Sequence, residues 1–266
     1  MLSESAASPA RWIDVAPERF PGWIESFGGR HGAVRVAGEP GDAEPGGAVV
    51  FVAADGAVAR VHAPFPPVPG LAAAPEPGDR DPVGQDPAGQ GSVGQDPGEV
   101  ARLIAAHAAA GRTVGVLLVR LGGYAAGVFT GAPPRLADSK VGSRLVHGRS
   151  AAGGQSQQRF ARRREKQAAE ALGAAADTAA AVFGRSGRPL DALVLGGDRR
   201  AVAGLRDDPR LRAYFAVAVE RFLTTPDPRL AVLRETPKMF RAIRVQLTEP
   251  ARAHEGPAAV RAQPAR

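Results

Sequence analysis

Apolar positions along the chain recur in short runs, and the period of each run predicts an element. Between Val15 and His31, the residues Phe20, Trp23, Ile24 and Phe27 are spaced as one face of a helix, which Gly28-Gly29 is expected to end. Three strand-like runs follow: Ala33 to Ala37 (AVRVA), with Val34 and Val36 on one face, Ala48 to Ala53 (AVVFVA) and Ala57 to Ala63 (AVARVHA). Ala54-Asp55-Gly56 between the last two is a hairpin signal, because Asp and Gly tolerate positive φ. Glu99 to Ala110 reads as a helix with Val100, Leu103, Ile104 and His107 on one side and Gly111 after it, with His107 expected in the core. Thr113 to Leu121 and Tyr124 to Phe129 read as strands on either side of Gly122-Gly123. Ser156 to Phe183 is rich in Ala, Arg, Glu and Gln, broken only by Gly173, and predicts a long helix. Beyond it come a buried-type strand (Leu190 to Leu195), a short helix (Asp198 to Leu205), a strand (Tyr214 to Glu220) and a final helix (Pro228 to Leu247). The final helix offers Leu230, Leu233, Phe240, Ile243 and Val245 for burial, and Pro237 can kink or divide it.

The remaining stretches lack such periods. Met1 to Ala10 reads as a loose start, Pro133 to Gly154 as irregular and basic, and Glu249 to Arg266 as a flexible tail. Residues 66–98 repeat a Pro/Gly/Gln pattern (DPVGQ, DPAGQ, GSVGQ) with almost no large apolar groups to offset the entropy of ordering, so a disordered insertion is expected. The element order predicts one α/β domain over residues 11–248, a mixed sheet flanked by helices.

Composition narrows the chemistry. The chain of 266 residues has no Cys, which excludes a disulfide scaffold, a thiolate zinc site and a cysteine nucleophile. No apolar run reaches the roughly 18 residues of a membrane span, and Met1 to Trp12 does not read as a secretory signal. A cytoplasmic protein without membrane contact is the expectation. The net charge of +7 is uneven. Residues 1–98 sum to −7 and residues 99–266 to +14, and the window Lys140 to Lys166 carries +7 alone while the rest of the chain sums to zero. Such clustering is the footprint expected for a polyanion, although an Arg-rich composition could also produce it. Leu195-Gly196-Gly197-Asp198-Arg199-Arg200 is a strand–turn–helix tract that reads either as an anion site or, preferentially, as an ordinary tight turn. The five histidines show no metal-type spacing, so neither metal nor cofactor is expected, and no Gly-x-Ser-x-Gly elbow is present.

The informative stretch runs from His147 to Arg164. Small residues precede Gly153-Gly154, three glutamines follow in four positions (Gln155, Gln157, Gln158, with Ser156 between), and a basic helix begins. A Gly pair lets the backbone approach a ligand closely. A glutamine amide can position water and stabilise developing charge, but it is a poor general base at neutral pH. The loop therefore suits hydrolysis in which the substrate supplies part of the machinery. In Arg162-Arg163-Arg164 consecutive residues point about 100° apart, so all three cannot meet one phosphate run.

This tract, GGQSQQRFARRR, resembles the Gly-Gly-Gln loop and following helix of the middle domain of archaeal and eukaryotic class-I release factors. It resembles more closely the Vms-type release-factor-like peptidyl-tRNA hydrolases, in particular their actinobacterial branch, with its Gly-Gly-x-Ser-Gln-Gln-Arg-[Phe/Tyr]-Ala-Arg-Arg-Arg pattern. The segment Val15-Ala-Pro-Glu-Arg-Phe-Pro-Gly-Trp-Ile is also similar to that branch. The resemblance spans roughly Arg11 to Leu247, outside the 66–98 insertion. It implies an RNase H-like mixed sheet and hydrolysis of the ester joining a nascent peptide to tRNA on stalled large ribosomal subunits. It also implies peptidyl-tRNA and large-subunit rRNA as partners, with no cofactor; a monomer is expected. Gly153, Gly154, Ser156 and one of Gln157, Gln155 or Gln158, in that order of preference, would carry the chemistry. Arg149, Arg159, Arg162, Arg163, Arg164 and Lys166 would meet RNA. A non-catalytic ribosome-binding module and a nuclease acting on the tRNA 3′ end remain the alternatives at this point.

Overall fold

The computed structural model describes residues 9–37, 47–71, 96–120, 122–143 and 156–250, and for 156–164 the backbone course alone. In chain order the elements are β1 (Arg11–Val15), α1 (Phe20–His31), β2 (Val34–Ala37), β3 (Val49–Ala53), β4 (Val58–His62), α2 (Pro97–Ala109), β5 (Val114–Arg120), β6 (Gly123–Thr130) and β7 (Arg135–Ser143). They continue with α3 (Ser156–Gly184), β8 (Ala192–Gly197), α4 (Arg199–Ala203), α5 (Arg212–Phe215), β9 (Ala218–Leu223), α6 (Leu230–Phe240) and β10 (Ile243–Thr248).

The expected mixed sheet is built from the second half. Its order is β7-β6-β5-β8-β9, with β5, β6 and β7 antiparallel and β8 and β9 parallel to β5. This is the RNase H-like arrangement: three antiparallel strands extended by two parallel ones. β5 reads as one continuous apolar run because both its faces are covered. Leu117 and Val119 pack with Tyr124, Ala175, Ala179 and Val182 under α3, whereas Val114, Val116 and Leu118 pack with Phe129, Leu233 and Phe240 under α6. The early strands do not join this sheet. They form a second, wholly antiparallel sheet, β1-β10-β4-β3-β2, whose inner residues Val15, Phe51, Ala59, Val61, Ile243 and Val245 pack on α1 and α2.

Several elements differ from the sequence expectation, each for a physical reason. α1 runs through Gly28-Gly29 and stops at Gly32, which takes φ +84°; Gly28 is the close approach instead, since a Cβ there would lie 3.3 Å from Val34. The final helix ends at Phe240, and Ile243, Val245 and Leu247 alternate as the buried face of β10. Pro237 does not divide α6, because the buried Thr236 hydroxyl donates to the Leu233 carbonyl (2.7 Å), the group that a residue with an N–H at 237 would have satisfied. Tyr214-Phe215 closes α5 with Tyr214 edge-on to Phe183, and the strand starts four residues later than expected, at Ala218. Residues 135–143 are not irregular but form edge strand β7, whose polar sequence suits a strand with a single neighbour. The insertion is narrower than 66–98: Val68 is buried, Leu71 packs on the first core, and Asp96 caps α2 by accepting from the Glu99 N–H (3.0 Å). The repeat itself, 72–95, and most of the expected tail, 251–266, lie outside the described residues.

His107 is half-buried rather than in the core. Its Nε2 donates to the Phe65 carbonyl (2.8 Å), and its Nδ1 faces Arg112 Nη2 at 3.2 Å. Phe65 holds φ 57°, a left-handed conformation costing a bulky residue about 1–3 kcal/mol. The His107 bond and the Arg112 guanidinium over its ring (4.8 Å) secure it there. Burial lowers the His107 pKa below its ordinary value; the Phe65 bond acts the other way, and the Arg112 charge lowers it further. Because the folded state prefers the neutral ring, its contribution is complete above the unfolded pKa, about 6.5, and is lost as pH falls through the folded value. The thermal midpoint of the wild-type chain is therefore expected to drop more between pH 7 and pH 5 than that of His107→Gln. Equal drops would remove His107 from the acid sensitivity.

Candidate functional site

The topology places the glutamine tract before any side chain is considered. β7 is antiparallel to β6, and β6 to β5, so β7, β5, β8 and β9 all run the same way. The chain therefore leaves β7 after Ser143 at the carboxyl edge of the mixed sheet, and α3 starts from that edge and runs back across one face. Such edges gather ligand-binding loops in open α/β sheets. Ser143 pairs with Gly123, and Gly123 with Arg120, so the departure point adjoins the β5–β6 turn. Gly142 lies directly beneath the Tyr124 ring: a Cβ there would come within 2.5 to 2.7 Å of three atoms of that side chain.

Of the expected site residues, Arg149, Gly153, Gly154 and Gln155 fall in 144–155, outside the described residues, as do His147 and His254. Ser156 is the first residue of α3, so Gln157, Gln158, Arg159, Arg162, Arg163 and Arg164 occupy its first turns. The first buried side chain described on α3 is Ala171, and Glu165, Lys166, Ala168, Ala169 and Glu170 before it are exposed. Fifteen residues separate Ser156 from Ala171, about 22 Å of helix at 1.5 Å per residue. Among the α3 residues whose side chains are described, full burial thus begins about four turns after Ser156.

Periodicity orders the basic residues around that helix. The buried stripe of α3 runs through Ala171, Ala175, Thr178, Ala179 and Val182. At 100° per residue, positions 159, 162, 163 and 166 fall on the opposite side, whereas position 164 falls in line with the stripe. Four of the five helix positions expected to carry RNA-binding cations therefore share one side, and position 164 does not.

The Leu195–Arg200 tract is a tight turn. Gly197 takes φ +98°, and Asp198 fills the start of α4 itself, its Oδ1 accepting from the N–H groups of Arg200 (2.8 Å) and Ala201 (3.3 Å). Among the described residues no three His, Cys, Asp or Glu gather as metal ligands would, and no helix is long and apolar enough to cross a membrane. Sequence reasoning overlooked β7 and the carboxyl edge it defines. Its sequence, in which only Leu136, Ala137 and Val141 are apolar, has no strand period that stands out without its partner β6.

A family model described as Actinobacteria/chloroflexi VLRF1 release factor matches residues 112–246. The match covers slightly more than half of the chain and takes in the whole mixed sheet, α3 and α6, but not β1 to β4. No curated protein matches the chain.

Proposed function

The chain belongs to the Actinobacteria/chloroflexi VLRF1 release factor family, and from that premise we propose that it hydrolyses the ester of peptidyl-tRNA on stalled large ribosomal subunits. What supports the reading is that Ser156, Gln157 and Gln158 open the first turn of α3 within the matched region, and that Gly153-Gly154-Gln155 directly precede them in the sequence. In this reading the long helix brings the loop into the peptidyl-transferase centre. Gly153 and Gly154 allow close backbone approach to the acceptor end. One glutamine orders water or the ribose 2′-OH beside the ester carbonyl, and a nearby backbone N–H stabilises the tetrahedral oxyanion. The water oxygen bonds to the carbonyl carbon, electrons then return from the oxyanion, the ester C–O bond breaks, and a proton from the water passes to the departing ribose oxygen, so the peptide leaves with a carboxyl group and the tRNA with its 3′-terminal hydroxyl. Arg159, Arg162, Arg163 and Lys166 neutralise phosphates along the outer side of the helix, and Arg149 does so from the loop. A cytoplasmic site of action follows from the substrate. We treat residues 11–248 as the single unit that carries this activity.

The test is release of a labelled peptide from purified peptidyl-tRNA–large-subunit complexes by the protein alone, with the tRNA end analysed afterwards. The expected products are free peptide and full-length tRNA with an intact 3′ adenosine. A shortened tRNA would instead mark a nuclease, and binding without release a non-catalytic ribosome-binding module.

A further inference from the structure

α4 and the turn after it carry a second group of cations that the glutamine loop does not explain. α4 follows β8 at Gly197 and so starts at the same carboxyl edge as α3. Its C-terminal end lies against α3 close to Ala171, the first buried side chain described on that helix: a Cβ on Gly204 would sit 3.1 Å from Leu172, and Val202 and Leu205 share the α3 core with Leu172. Leu172 is six residues, about 9 Å of helix, from Lys166.

Arg199, Arg200 and Arg206 are all exposed here. Several other described arginines of the second half are neutralised. Arg210 is paired with Asp208 and Asp177, Arg185 with Asp138, Arg221 with Asp14, Arg241 with Glu18 and Arg120 with Asp227. Among the described residues no carboxylate pairs with Arg199, Arg200 or Arg206. Two of the three are nevertheless held in place. The Arg199 guanidinium lies over the Phe222 ring (4.4 Å) and that of Arg206 over the Phe215 ring (5.2 Å). Stacking orders the plane of a guanidinium and leaves its N–H groups free at the edge, a geometry suited to phosphate oxygens. The start of α4 is not the anion site, because the Asp198 carboxylate already occupies it.

We propose that Arg199, Arg200 and Arg206 form a ledge that binds the phosphate backbone of an RNA stem while the α3 arm reaches the end of the same RNA. The proposal rests on the hydrolase reading for the identity of the polyanion. It adds a contact surface on the sheet body, behind the arm, so that the stem is gripped at two places separated along α3. Phosphate contact of this kind is independent of base sequence and is read directly from salt dependence.

The experiment measures binding of the full chain to a fluorescent RNA stem-loop with a single-stranded 3′ end across a KCl series. Arg199→Gln/Arg200→Gln/Arg206→Gln is expected to bind about tenfold more weakly at 0.15 M salt, with the slope of log affinity against log salt shallower by about 2 to 3. The corresponding triple Lys variant keeps the slope, and Arg210→Gln, which breaks an existing ion pair, leaves both values unchanged. Arg200→Gln alone touches no ring and lowers the slope by about 1, which decides the matter if the triple variant fails to fold. Wild-type affinity and slope in the Gln variants overturn the ledge, as does a wild-type chain that does not bind the stem-loop. Peptide release is followed in parallel. Loss of RNA binding in the Gln variants of a wild-type chain that releases no peptide sustains the ledge and sinks the hydrolase reading. Normal release with unchanged RNA affinity does the reverse.

Discussion

Replacing Gln155 and Gln157 together by alanine is expected to slow peptide release by about a hundredfold or more, which corresponds to about 2.7 kcal/mol of transition-state stabilisation. Taken singly, Gln157→Ala should cost most, Gln155→Ala nearly as much and Gln158→Ala least. Gln157 lies in the first turn of α3 and Gln155 immediately before it. A glutamine amide gains and loses no proton near neutrality, so it acts by orienting water and by stabilising charge. The release rate should therefore be flat between pH 6 and pH 8, whereas a group with the ordinary histidine pKa would impose an inflection within that range. Measuring single-turnover release at saturating protein separates chemistry from binding, so the loss should appear in the maximal rate and leave half-saturation unchanged. Wild-type rates in both single variants and in the double variant would remove the glutamines from the reaction. An inflection near pH 6.5 would point instead to a titrating group.

The parts of the fold that could be read from the sequence are those in which local pattern and final environment agree. β5 is apolar throughout because it is buried on both faces, and the β3–β4 hairpin carries its own turn, with Asp55 Oδ1 accepting from the Ala57 N–H (2.9 Å) and Gly56 at φ +89°. α3 needed only its composition. The rest depended on partners remote in sequence. β1 pairs with β10 from Arg11↔Leu247 to Val15↔Ile243, a link between the two ends of the described chain that no local window contains. Residues 243–247 satisfy helical and strand spacing about equally until β4 and β1 close on either side of them. β7 carries Asp138, Ser139 and Lys140 because, among the described residues, one of its edges faces no strand, so it resembles a loop in composition. For the candidate site the chemistry of Gln155, Gln157 and Gln158 was legible in the tract itself. Its setting was not, because the direction of β7 fixes the edge from which α3 departs, and that direction follows from pairing with β6.

Two glycine-to-alanine substitutions that differ by one methyl group each are expected to act in opposite directions. Gly197→Ala should destabilise the chain by about 3 kcal/mol or more, combining backbone strain of about 1–3 kcal/mol with an overpacking cost of similar size. Gly197 holds φ +98°, and a Cβ there would lie 2.2 Å from the Val119 carbonyl oxygen and 2.9 Å from its carbon. That neighbour cannot yield. Val119 lies in β5, which is hydrogen-bonded to β6 on one side and β8 on the other, and its carbonyl accepts the Asp198 N–H at 2.8 Å. Relief would have to come from β8 and the turn into α4, which would disturb the Asp198 cap and carry Arg199 and Arg200 with it. RNA affinity should therefore fall along with stability. Gly173→Ala has none of these costs: the residue is exposed within α3, with nothing within 4 Å of a Cβ. Alanine there should stabilise by about 0.5–1 kcal/mol, the difference in helix propensity. Denaturant midpoints of the two variants against wild type provide the measurement. A Gly197→Ala midpoint equal to that of wild type would mean that the turn between β8 and α4 does not make the close approach to Val119 on which the placement of Arg199 and Arg200 depends.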